Sequence, residues 1–232
     1  MPISGGLSYE TIPIGKEKST SPGRIAPSLD GTIVPQLVAD VGGAGMKLLL
    51  TSAGFENQAV ADVFKGMLGK SAEVAKVLFI PTAAQSEEAL YYVEKCKREL
   101  KAAGIHRDNL YIYDLDRRIE AEELRGYDAV YVCGGDTRHL LRRVKRGKFD
   151  KVLASFPGGY AGVSAGSLIT AAQMDIGRMK LAKGLGIVNC GLRVHCRKGS
   201  PEGKIDMSGC PVIALTDRQA LMVENDTVTL IQ

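Results

Sequence analysis

No stretch of the 232-residue sequence approaches the roughly 18 uninterrupted apolar residues of a membrane span, and the N-terminus lacks the basic-then-apolar pattern of a secretory signal. These two absences predict a soluble, cytoplasmic protein with no membrane partner. Cysteines are few and odd in number: Cys96, Cys133, Cys190, Cys196 and Cys210 follow no repeated spacing of a disulfide framework, so reduced thiols are expected. A concentrated basic face is also missing. The net charge is only +4, with acidic residues interspersed, which argues against a nucleic-acid partner. The densest basic run, Arg138, Arg142, Arg143, Lys145, Arg146 and Lys148 beside Leu140, Leu141 and Val144, reads as the solvated side of an amphipathic helix. Internal repeats and low-complexity blocks are lacking.

What is present is an ordinary globular balance, 45% hydrophobic and 24% charged, so a packed core is expected rather than a fibrous or disordered chain. Residues 1–45, rich in Gly, Ser, Pro and Thr without sustained period, read as a tail or irregular arm, with Met46 a candidate natural start behind an added leader. From 46 to 232, apolar runs of strand length alternate with helical spacing, the pattern of parallel βαβ units. Strands are expected at 47–51, 76–81, 110–114, 128–133 and 159–163. Helices are expected over 57–68 and 86–103, the second opening on the cap Ser86 with Glu87 and Glu88. Later apolar pieces at 185–188, 212–215, 219–223 and 227–231 are less regular; the last two flank Glu224-Asn225-Asp226 and suggest an edge β-hairpin.

The chemistry concentrates at Gly162-Val163-Ser164-Ala165-Gly166-Ser167. The small-residue strand 159–163 runs into Ser164, and the stretch after it can start a helix, so Gly162 and Gly166 make the G-x-S-x-G of a nucleophile elbow. There the serine hydroxyl projects above the sheet, and the Ala165 N–H is a natural oxyanion donor. A second glycine turn, Cys133-Gly134-Gly135-Asp136-Thr137, follows the strand at 128–133 and should lie beside the elbow at the carboxyl edge of the sheet. Gly135 is the second expected oxyanion donor; Asp136 is equally suited to capping the next helix.

These runs resemble the peptidase E (aspartyl dipeptidase) and cyanophycinase group of serine peptidases. The resemblance rests on Lys47-Leu48-Leu49-Leu50-Thr51-Ser52, Phe79-Ile80-Pro81-Thr82-Ala83, Tyr131-Val132-Cys133-Gly134-Gly135-Asp136-Thr137, Gly162-Val163-Ser164-Ala165-Gly166 and the C-terminal hairpin, and spans nearly all of 46–232. It implies a flavodoxin-like three-layer α/β fold, mostly parallel, and a Ser-His-acid triad acting on short peptides without a cofactor.

A serine hydroxyl needs a base within reach and a carboxylate to orient that base. Of three histidines, His106 sits before a strand, at the wrong end of the sheet, and His139 lies on the arginine-rich helix. His195, after the nucleophile and at the end of a short apolar segment, is the expected base, and the resemblance implies the same place. Asp175, between serine and histidine in chain order as in the family, is the expected acid, with Asp217 in reserve; the interval from Ser164 to Asp175 is shorter than the family pattern. Gly134, Asp136 and Arg193 are candidate substrate contacts, Arg193 with Arg197 and Lys198 as attractors of a carboxylate, although surface solubility explains those cations as well. The segment 196–209 is short and glycine-rich where relatives commonly carry a longer helical stretch, so an aspartyl preference does not carry over.

Three other readings stand beside this one. Cys190, His195, Cys196 and Cys210 cluster but match no paired-ligand spacing, so no metal is expected. Cys133 is a rival nucleophile without an elbow. A non-catalytic binding module on the same fold is the alternative function, and the chain is expected to be a monomer or a homodimer joined through an edge strand.

Overall fold

The computed structural model describes residues 45–177, 181–197, 212–224 and 227–232. The expectations for residues 1–44, Lys198, Cys210, most of the 196–209 segment and the hairpin residues Asn225 and Asp226 lie outside the described residues.

The apolar runs form strands because their side chains alternate between two covered faces of one sheet. In β1 (Lys47–Thr51), Leu48 and Leu50 enter one core and Leu49 the other. After α1 (Gln58–Met67), β2 (Val77–Ile80) divides in the same way, Leu78 and Ile80 against Val77 and Phe79. Then α2 (Glu87–Ala102) leads to β3 (Leu110–Ile112), and α3 (Ala121–Leu124) to β4 (Ala129–Val132), where Val130 and Val132 oppose Ala129 and Tyr131. α4 (Thr137–Arg146) and α5 (Phe149–Leu153) precede β5 (Gly159–Val163), where Tyr160 opposes Ala161 and Val163. α1 and α2 cover one face through Val60, Phe64, Val93 and Leu100; α4 and α5 cover the other through Leu140, Val144, Phe149 and Leu153.

β5 runs into a single helical turn, α6 (Ala165–Leu168), and then into β6 (Ala171–Asp175), β7 (Leu181–Lys183), β8 (Val188–Arg193) and β9 (Val212–Ala214). The chain closes with β10 (Ala220–Glu224) and β11 (Thr227–Ile231). The main sheet has the order β11-β10-β1-β5-β4-β2-β3, with parallel pairing from β1 to β3 and the antiparallel terminal hairpin at the β1 side. A second sheet, β7-β6-β8-β9, packs Met174, Val188 and Leu192 into the core shared with α4 and α5. The fold is the three-layer, mostly parallel α/β sandwich that the alternation implies.

Two local expectations change. The helix begun at Ala165 lasts one turn, because the N–H groups of Leu185 and Val188 claim the carbonyls of Ile169 and Thr170 and draw the chain into the second sheet. β3 is shorter than 110–114 and half-exposed at Tyr111 and Ile112, as suits an edge strand. Ser86 caps α2 as expected, its Oγ accepting the Ala89 N–H at 3.2 Å. The basic run lies on α4 with Arg138, Arg142, Lys145 and Arg146 exposed while Leu140 and Val144 are buried. Among the described residues no helix is long and apolar enough to cross a membrane.

Candidate active site

Ser164 stands at the carboxyl end of β5 with φ 48° and ψ −105°, a backbone conformation that non-glycine residues avoid. Its surroundings hold it there. The Ser164 N–H donates to Thr51 O at 3.0 Å, carrying the β1–β5 ladder one residue past the strand. The buried Ser167 Oγ lies 2.7 Å from both Thr51 O and Gly162 O, and Thr51 Oγ1 donates to Gly162 O at 3.1 Å. The strand and the turn after it approach so closely that only glycine fits. A β-carbon on Gly162 would come within 2.7 Å of the Gly166 carbonyl, and one on Gly166 within 2.2 Å of Val132 O.

The second glycine turn abuts the serine as anticipated. A β-carbon on Gly134 would lie 3.1 Å from Ser164 Cβ, and one on Gly135, whose φ is +135°, 2.1 Å from Ala83 O. That carbonyl accepts the Asp136 N–H at 2.7 Å, which fixes the turn. Asp136 itself is committed to capping α4, its Oδ1 accepting the His139 N–H at 2.8 Å. Among the described residues, the N–H groups of Ala165 and Gly135 donate to no protein acceptor, so both are free for a developing oxyanion.

His195 reaches the serine from the end of β8. Its Nε2 is 2.9 Å from Ser164 Oγ and its Nδ1 2.7 Å from Asp217 Oδ1. An ionised carboxylate only accepts, so Nδ1 carries the proton and Nε2 faces the serine hydroxyl with its lone pair. Burial pulls the Asp217 carboxyl upward, but hydrogen bonds from His195 and Ser52 outweigh it and hold the group below its ordinary value. The other histidines are elsewhere: His106 caps the short turn Arg107–Asn109 at the amino edge, and His139 is in the first turn of α4.

The expectation of Asp175 as the partner of His195 is corrected. β6 and β9 flank β8 on opposite sides. Asp175, at the end of β6, meets Arg193, with Oδ2 2.9 Å from Nε, and Oδ1 accepts the Gly177 N–H at 2.8 Å. On the other flank the Leu215 N–H donates to Arg193 O and the Cys196 N–H to Leu215 O, both at 3.0 Å, which carries the β8–β9 pairing up to His195 and sets Asp217 beside it. The same pair changes the reading of Arg193, whose charge is matched by Asp175 rather than free for a substrate. Arg197 is exposed.

Cys133 is no rival to Ser164, since it is 1% exposed and burial pushes its thiol well above the ordinary value. One residue went unnoticed in the sequence as a site residue. Ser52, just past β1 and fully buried, accepts the His195 N–H at 2.7 Å and donates to Asp217 Oδ1 at 2.8 Å. Its only signal in the sequence was its place in a small-residue run at the end of the first strand.

Fold and site together define a three-layer α/β protein carrying a hydrogen-bonded serine, histidine and carboxylate at the carboxyl edge of its sheet. The model of peptidase family S51 matches residues 48–231, and the chain belongs to that family. It is similar to uncharacterized peptidases of Listeria innocua, 41% identical over 102 residues covering 40% of this chain and 46% of that protein, and of Listeria monocytogenes, 40% identical over 97 residues covering 40% and 47%. The chain thus spans about half the length of these curated relatives. Among solved structures it resembles a candidate peptidase E from Listeria monocytogenes, with TM-score 0.63, 25% identity and coverage of 82% of this chain and 99% of that one. A peptidase from an acI-B1 Actinobacterium shares the fold at TM-score 0.58, with 21% identity and coverage of 82% and 89%.

Proposed function

We propose that the chain is a serine peptidase of dipeptidase type, which hydrolyses short peptides by acyl transfer through Ser164, with His195 as base and Asp217 as the orienting acid. The observation that carries this reading is the continuous relay from Ser164 Oγ to His195 Nε2 at 2.9 Å and from Nδ1 to Asp217 Oδ1 at 2.7 Å, set on a strained elbow. Membership of peptidase family S51 supports it.

In the proposed reaction Ser164 Oγ attacks the scissile carbonyl carbon while its proton passes to His195 Nε2. The carbonyl oxygen takes up negative charge and is met by the N–H groups of Ala165 and Gly135; one such donor is worth about 2.7–4 kcal/mol in the transition state. The C–N bond breaks as His195 Nε2 returns the proton to the leaving amine. Water then attacks the acyl ester, giving its proton to His195, and the acid product leaves as Ser164 regains a hydrogen. Throughout, Asp217 holds the ring in one tautomer and stabilises the imidazolium.

A panel of dipeptides and tripeptides, those with N-terminal aspartate included, tests the proposal. The wild type is expected to cleave at least one class, with Ser164→Ala slower by about 10³-fold or more. Absence of cleavage by the wild type, or cleavage that survives Ser164→Ala, contradicts it.

A further inference from the structure

The pair that would drive Ser164 is oddly exposed. The side chains of His195 and Asp217 are 52% and 56% accessible, and His195 has a positive φ of 57°, so among the described residues neither close packing nor backbone preference fixes the ring or the carboxylate. Among the described residues, the one buried group joining them is the Ser52 hydroxyl, which is 0% exposed. We infer that Ser52 is a positioning residue for the reaction, which locks the His195 backbone and the Asp217 carboxylate into one geometry; the inference rests on the proposed roles of Ser164, His195 and Asp217.

A hydroxyl has one proton to give and two lone pairs. Here the proton goes to Asp217 Oδ1 at 2.8 Å, and a lone pair takes the His195 N–H at 2.7 Å. The 3.5 Å separation between Ser52 Oγ and His195 Nδ1 is too long to compete, and Nδ1 already carries the proton it donates to Asp217. Asp217 Oδ1 therefore accepts from both Ser52 and His195, and this double donation keeps the carboxylate turned toward the ring. The N–H bond to Ser52 holds the left-handed backbone at His195 that aims Nε2 at Ser164. Ser52 is itself fixed, because it follows β1, whose ladder to β5 continues through Ser164 N–H to Thr51 O at 3.0 Å. One strand end thus sets nucleophile and base in register, across 143 residues of sequence.

The test is the rate at which a fluorophosphonate inactivates the full chain, measured for wild type, Ser52→Ala, His195→Ala and the double variant, with thermal unfolding recorded for each. Ser52→Ala is expected to lower the maximal inactivation rate about 10- to 100-fold while the half-saturating reagent concentration stays within about twofold, the split of a group that acts on the chemical step. In the His195→Ala background the same substitution is expected to change the rate by less than about twofold, because its target is gone. Ser52→Cys, similar in shape but a weak donor, serves as a second variant and is expected to fall between wild type and Ser52→Ala. Rates equal to wild type for both Ser52 variants, or a Ser52→Ala loss that persists undiminished without His195, would overturn the inference while leaving the peptidase reading intact. A wild type that does not react at all removes that reading and the inference with it.

Discussion

Two aspartates flank the strand that delivers His195, and only their neighbours distinguish them. Asp217 touches the ring, whereas Asp175 is bound by Arg193 and the Gly177 N–H. Asp217→Ala is therefore expected to slow peptide cleavage by about 10³- to 10⁴-fold, the scale on which loss of a triad acid acts. Asp175→Ala should stay within about threefold of wild type in the same assay. Equal losses would mean that the contacts at His195 do not decide the chemistry. The pairing of Ser164 with His195 was legible in the sequence because an elbow needs its glycines and only three histidines compete for the place beside it. The carboxylate that pairs with His195 was not, since chain order says nothing about which side of β8 each carboxylate occupies. Ser52 was illegible for a similar reason, as its partners are 143 and 165 residues away.

At the level of elements, the elbow and the glycine turn facing it depend on close backbone approach. Gly162→Ala would push a methyl into the backbone of Gly166 and Ser167, both 2.7 Å away, with β1 and β4 leaving no room to yield. A loss of about 3 kcal/mol or more is expected, the upper part of the range for single substitutions, measured as a shift of the denaturant midpoint. Ser86→Ala removes only a cap, whose hydroxyl bonds the Ala89 N–H. It should cost about 1 kcal/mol by the same measurement and leave cleavage unchanged. β1 and β5 begin and end where the sequence predicts because both faces of each are buried and the runs are bounded by small residues. The pairing of the second sheet escaped notice since its strands are partly exposed and the apolar pieces at 185–188 and 212–215 only partly mark β8 and β9, whose partners nothing local specifies.

Across the whole molecule, the site is an assembly of strand ends: β1 brings Ser52, β4 the glycine turn and β5 Ser164, while the second sheet contributes His195 and the segment after β9 brings Asp217. Its electrostatics enter folding through Asp217. Because its folded value is depressed, the carboxylate contributes stability that is present above the unfolded value of about 3.9 and lost as pH falls through the folded one. Asp217→Asn should consequently narrow its stability difference from wild type as the pH is lowered through that window, in denaturant titrations. A difference that grows toward acid would reverse the assigned sign.

Activation of Ser164 by His195 is read out by covalent labelling with a fluorophosphonate followed by mapping of the modified residue. The wild type is expected to be modified stoichiometrically at Ser164, Ser164→Ala not at all, and His195→Ala more slowly by orders of magnitude. Wild-type protein that is folded but unlabelled, or labelled at another residue, would contradict that activation.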